Sequence, residues 1–120
     1  MLSILSVGAG GFIGAVLRYL IGLIPVNEVT VFPIKTFFIN VIGCVLIGLI
    51  VVSVQKNFYL SPQMALFLKV GICGGFTTFS TFALETNELM EAGHIWMALL
   101  YVMLSVLVGV GVIFLIKGSM

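Results

Sequence analysis

Four long apolar stretches separated by short polar segments make up most of this sequence, and they limit what the chain can fold into. An α-helix needs about 20 mostly apolar residues to cross the hydrocarbon core of a bilayer. The four stretches lie at approximately residues 2–24, 36–54, 63–84 and 95–116. Because these stretches and their short connections use up nearly the whole chain of 120 residues, we expect an all-α integral membrane protein with a single four-helix transmembrane domain, residues 1–120.

The composition excludes several other classes. Only 8% of the residues are charged and the mean hydropathy is +1.35, whereas a soluble domain carries about 25% charged residues. So few polar side chains cannot cover a soluble enzyme, and a net charge of +1 provides no basic surface for nucleic acid. The apolar runs are unbroken, unlike the alternating strands of a membrane β-barrel. We therefore predict the lipid bilayer as the environment and no nucleic-acid partner.

The cationic residues are almost evenly divided between the two ends of the four spans. Four crossings put both termini on one side, together with Lys56, Lys69 and Lys117; Arg18 and Lys35 lie on the other side. Cationic loops are retained in the cytoplasm, so a tally of three against two gives insertion little bias. We expect insertion in both orientations and pairing of inverted copies, unless another feature, such as the amino terminus, fixes one orientation.

Two small-residue pairs indicate close helix packing. Gly10 and Gly14, and Ser105 and Gly109, are each four residues apart and give a helix a face that another helix can approach closely. A bundle of four helices is too thin to enclose a polar path, so oligomerisation is expected. Two packings are open for each pair, one within the chain and one between chains.

Polar residues within the spans are concentrated in the third. Residues 71–82 contain three glycines and four hydroxyl side chains, and Asn40 stands alone in the second span. The adjacent Gly74 and Gly75 are the place where this helix can unwind, and unwound carbonyls coordinate cations in membranes. The alternative is a continuous helix whose hydroxyls bond to the preceding turn.

Aromatic and hydroxyl side chains at helical spacing suggest a lining for a small anion. Phe79 and Phe82 share one helix face, as do Tyr101 and Ser105. Aromatic ring edges carry positive charge and suit an anion. These groups are neutral and provide no fixed positive charge, so a small anion that binds to them can also leave again.

Missing residue types exclude other chemistry. The sequence has no Asp and no Ser/His/Asp set for catalysis, so we predict that it is not an enzyme. Glu85, Glu88 and Glu91 are interpreted as a solvated helix end, and His94 as an interfacial residue. Residues 2–24 lack the membrane glutamate that a small multidrug-type antiporter requires. A non-transporting assembly subunit is a second alternative, and it does not account for the polar residues gathered in the third span.

Residues 74–82, Gly-Gly-Phe-Thr-Thr-Phe-Ser-Thr-Phe, resemble the signature of the Fluc (CrcB-type) fluoride channels. The first span matches the same family through Gly10-Gly11, Gly14-Ala15 and Arg18-Tyr19, and the second through Thr36-Phe37, Asn40 and Gly43. The similarity extends over the whole chain, and the last span is its least distinctive part.

This resemblance implies an antiparallel, dual-topology homodimer in the bacterial inner membrane that passes fluoride out of the cell passively and selectively through two pores. It also implies that the third helix breaks near its middle and that a structural Na⁺ at the dimer centre is held by backbone carbonyls of Gly74 and Thr77. Arg18 is implied to lie near an aqueous vestibule, and Gly109 stands where a further hydroxyl is expected. The implied ion pathway consists of Asn40, Phe79, Ser80, Thr81, Phe82, Tyr101 and Ser105.

Overall fold

The computed structural model describes residues 1–26, 31–56 and 60–119, and these are helical apart from their connections. Segments 27–30 and 57–59, which the sequence assigns to connections between spans, lie outside the described residues. The helical elements are α1 (Leu2–Gly22), α2 (Ile34–Gln55), α3 (Pro62–Leu66), the π-helical segment π1 (Phe67–Cys73), α4 (Gly74–Phe76), α5 (Phe79–Glu91) and α6 (Ile95–Ser119).

Four of these helical stretches are long and apolar enough to cross a membrane, which confirms the predicted number of spans. The third comprises α3, π1, α4 and α5 and covers Pro62–Glu91. It therefore continues about two turns beyond the boundary predicted at residue 84, because the last part of α5 is polar. No strand occurs among the described residues.

The two ends of the third span have recognisable caps. The Ser61 side chain accepts a hydrogen bond from the Met64 backbone N–H at 3.1 Å, and Pro62 occupies the first helical turn, where its missing N–H is not needed. At the other end Gly93 has φ +87°, and the backbone N–H groups of Gly93 and His94 donate to the carbonyls of Met90 and Leu89. This is a Schellman ending, which needs a glycine in the left-handed region.

Helix α1 packs closely against π1 and α4 because the contact contains glycines on both sides. A Cβ atom on Gly10 would overlap the Phe67 carbonyl oxygen, and one on Gly75 would lie 2.6 Å from the Gly11 carbonyl oxygen. The small-residue pair of the first span therefore packs within the chain. Gly75, which the sequence suggested as a place to unwind, remains helical and serves this approach.

The core is small and lies between α5, α6 and the start of α2. Leu89, Ala98 and Tyr101 are buried there, and partly buried aromatic residues surround them. Most large apolar side chains of the spans are exposed, as expected for a chain whose surroundings are lipid or another copy rather than water.

Candidate functional site

The third span is interrupted at two threonines. Helix α4 ends at Phe76 and α5 begins at Phe79, while Thr77 (φ −81°, ψ 158°) and Thr78 (φ −150°, ψ 116°) have extended backbones. We call these two residues the interruption. The Thr77 hydroxyl donates to the Cys73 carbonyl at 2.8 Å, and the Thr78 hydroxyl accepts from the Thr81 N–H at 3.1 Å. The threonines therefore cap the helix on either side of the interruption.

The Asn40 amide binds the backbone of the interruption from the second span. Its Oδ1 accepts from the Thr78 N–H at 2.8 Å, and its Nδ2 donates to the Thr78 carbonyl at 3.2 Å. Both backbone groups of Thr78 are thereby satisfied by one side chain, as a neighbouring strand would do. Helix α2 comes this close because residue 43 is glycine, and a Cβ atom there would overlap the Thr77 methyl group.

The interruption also deprives several carbonyl groups of their helical partners, including those of Gly74 and Thr77. In an uninterrupted α-helix the Gly74 carbonyl accepts from the Thr78 N–H, and the Thr77 carbonyl from the Thr81 N–H. Here the Thr78 N–H donates to Asn40 and the Thr81 N–H donates to the Thr78 hydroxyl. The backbone oxygens of Gly74 and Thr77 are therefore among those that lose their helical partner, as is the Phe76 oxygen, whose partner would be the Ser80 N–H.

Arg18, from the first span, contacts the short helix α4 that precedes the interruption. Its Nε donates to the Gly75 carbonyl at 3.2 Å, a contact that joins α1 to α4. The carbonyl of Gly75 is another group whose helical partner would lie beyond the interruption, at Phe79. Arg18 thus satisfies part of the backbone that the interruption exposes.

A groove of about 430 Å³ runs between α2, the third span and α6. Six of the ten residues that the sequence singled out line it, namely Asn40, Gly74, Thr77, Phe79, Phe82 and Ser105. The other four are Arg18, Ser80, Thr81 and Tyr101, which are not among the residues that line the groove. The Ser105 hydroxyl oxygen is buried and has no hydrogen-bond partner within the described residues, so it has capacity for a ligand.

The two phenylalanines differ in their surroundings. Their ring centroids are 5.8 Å apart, with the ring planes inclined by 52°. Phe82 packs against the buried Tyr101, with centroids 5.0 Å apart. Phe79 is 79% exposed. The two rings share one side of α5, but only Phe82 is held by the rest of this chain.

Glu85 is a polar residue of this region that the sequence analysis placed incorrectly. It is half-buried rather than at a solvated helix end, and its carboxylate accepts from the Thr36 hydroxyl at 3.0 Å and from the Tyr101 hydroxyl at 2.9 Å. Tyr101 therefore directs its hydroxyl at Glu85 and not at the groove. The sequence did contain a signal for this position. Phe82 and Glu85 are three residues apart on α5, and this spacing puts Glu85 on the same helix face as the candidate lining.

Four apolar spans, three of which border a groove that contains the Asn40 amide and the Ser105 hydroxyl, define a multi-pass membrane protein. A family profile described as "CrcB-like protein, Camphor Resistance (CrcB)" matches residues 5–118, and the chain belongs to this family. The resemblance seen in the sequence is thereby confirmed, and the family is one of multi-pass bacterial membrane proteins rather than enzymes.

Several relatives carry the name "Fluoride-specific ion channel FluC". The protein from Chlorobaculum tepidum is 46% identical over 114 residues, which cover 95% of this chain and 90% of the relative. The protein from Flavobacterium psychrophilum is 44% identical over 110 residues, with coverage of 91% and 89%. The protein from Azobacteroides pseudotrichonymphae is 39% identical over 113 residues, with coverage of 93% and 90%.

Proposed function

We propose that this chain is a passive, selective fluoride channel that exports fluoride across the bacterial cell membrane and so relieves its toxicity. The relatives' shared name supports the choice of ion. The observation that carries the proposal is the groove, in which Asn40, the Ser105 hydroxyl and the phenylalanine pair meet beside the interruption. These groups are neutral, so they can replace water around a small anion without trapping it.

Asn40 and Ser105 are the donors best suited to contact the ion. The Asn40 amide nitrogen carries two hydrogens, and the Thr78 carbonyl uses one of them. The Ser105 hydroxyl is buried without a partner within the described residues. Fluoride is small and strongly hydrated, so close donors favour it, whereas larger halides would be refused by the width of the path and the placement of the donors.

We propose further that two inverted copies form the channel, with two pores. Phe79 is 79% exposed beside an open groove, so a second copy is suited to cover its ring and close the path. The three-against-two division of cationic residues supports inverted insertion.

A structural Na⁺ at the centre of this dimer is the third part of the proposal. The residues fit such an ion, since Gly74 and Thr77 are among the positions whose carbonyls lose their helical partners, and oxygen ligands suit a hard cation. Each copy would contribute both carbonyls. The ion would supply positive charge that attracts the partial negative charges of these oxygens and would thereby join the two interruptions.

Fluoride efflux from proteoliposomes, read with a fluoride-selective electrode, tests the proposal. We expect efflux that needs only a counter-ion path, such as a potassium ionophore, and that exceeds chloride efflux by orders of magnitude. Efflux that requires a proton gradient would instead support an antiporter. Purified, monodisperse protein without any fluoride flux would support a non-transporting subunit.

A further inference from the structure

One charged residue lines the groove, among the residues that the structure describes, and it is Lys69. Lys69 lies in π1, four residues before Cys73 and eight before Thr77, which line the same groove. Its side chain is exposed. Lys69 is seven residues after Pro62, where the third span starts, so it lies about 10 Å along the helix axis from that end. The ammonium therefore belongs to one mouth of the groove, and the donors Asn40 and Ser105 lie deeper.

The position of Lys69 within a membrane span requires a physical explanation. Charged residues inside membrane spans are costly and face a polar path or a partner by default. The described residues that line the groove with Lys69 include no carboxylate that would neutralise it. A single positive charge beside low-dielectric walls concentrates anions near it and raises their rate of entry.

The other cations near the spans are not among the described residues that line this groove. Arg18, which the family resemblance implied to lie near a vestibule, donates to the Gly75 carbonyl. Lys35 donates to the Gly22 carbonyl at 2.9 Å. Lys56 and Lys117 are exposed at the ends of α2 and α6 and do not line the groove.

We propose that Lys69 is the residue that collects anions at the mouth of the fluoride path. This inference rests on the proposed function, because it assigns a role in anion entry. Lys69 acts through its field and not as a ligand in the narrow part. Its effect is therefore largest at low ionic strength and is screened by salt, since the Debye length falls from about 30 Å at 0.01 M to about 3 Å at 1 M.

The test compares Lys69→Gln with Lys117→Gln at low and high ionic strength in the proteoliposome assay. The control removes the same charge from the same side of the membrane, so both variants change the insertion bias equally. We expect fluoride flux through Lys69→Gln to be about three- to tenfold below that of Lys117→Gln at 10 mM salt, and equal to it at 1 M. Lys69→Arg should retain the wild-type flux, and Lys69→Glu should lose more than Lys69→Gln.

Equal fluxes of the Gln variants at low salt would overturn the proposal, and they would assign Lys69 to anchoring at the membrane surface. A loss of the same size at both ionic strengths would also overturn it, as would failure of Lys69→Arg to conduct. Absence of flux from the wild type and from Lys117→Gln would instead refute the proposed function itself.

Discussion

The glycine contact between α1 and the third span permits a sharp test of the fold. At Gly14 a Cβ atom would overlap the Ile72 carbonyl oxygen and lie 2.8 Å from the Phe76 nitrogen. Both obstacles are backbone atoms, so no side chain can turn aside. Gly14→Ala should therefore push α1 away from α4, and overpacking of this kind costs about 1–3 kcal/mol.

The same substitution at an open position gives the matched control. A Cβ atom on Gly8 or on Gly111 meets nothing within 4 Å in this chain. Alanine is a better helix former than glycine by about 1 kcal/mol, and this gain applies to all three variants and cancels in the comparison. Gly14→Ala should therefore be less stable than Gly8→Ala or Gly111→Ala by about 1–3 kcal/mol.

Thermal unfolding in detergent measures this difference. A change of 1 kcal/mol shifts the midpoint of a domain of this size by roughly 3–6 °C, so the Gly14→Ala midpoint should lie at least that far below both controls. Fluoride flux provides a second measurement, because α4 leads directly into the interruption. Equal midpoints for Gly14→Ala and the controls would refute the argument that backbone contact holds α1 in place.

Three further predictions concern the groove and the carboxylate beside it. Asn40→Asp places a negative charge in the anion path and should lower fluoride efflux at least about 100-fold, since two like charges 4 Å apart repel by about 4 kcal/mol at an effective dielectric of 20; efflux within twofold of wild type would exclude Asn40 from the path. Tyr101→Phe removes a donor to the half-buried Glu85 carboxylate and should destabilise the protein by about 1–3 kcal/mol in an unfolding experiment, and an unchanged midpoint would contradict that bond. A small mercurial should slow fluoride efflux by reacting with Cys44, which lines the groove and is more exposed than Cys73; Cys44→Ser should resist it while Cys73→Ser stays sensitive, and the reverse pattern would contradict the assignment.

The spans were predictable because apolar length is a local property of the sequence. The contact between Thr36 and Glu85 was harder to predict, since a carboxylate near a predicted helix end is usually solvated. What the pattern could not show is that α2 and α6 bring two hydroxyls, from Thr36 and Tyr101, to that carboxylate. A contact between three helices depends on tertiary packing and leaves no periodic signal.

The position of the interruption also depends on tertiary packing and not on local helix propensity alone. The sequence located the third span's weak point near Gly74 and Gly75, where intrinsic helix propensity is lowest. In the structure these glycines stay helical, and the backbone is extended at Thr77 and Thr78. Packing explains the difference, because Gly75 is needed against α1, whereas the Asn40 amide provides an alternative partner for the Thr78 backbone.

This placement has a chemical consequence for the proposed function. An interrupted helix has a carbonyl-rich end before the gap and an N–H-rich end after it. Before the gap, the carbonyl of Gly74 is released, which suits a cation. After it, Phe79, Ser80 and Thr81 form the first turn of α5, where the helix dipole and the N–H groups other than that of Thr81, which donates to the Thr78 hydroxyl, favour an anion. A gap placed at the glycines would move the positive helix end away from the phenylalanines, so the position of the interruption, and not only its presence, matches the ion pathway that we propose.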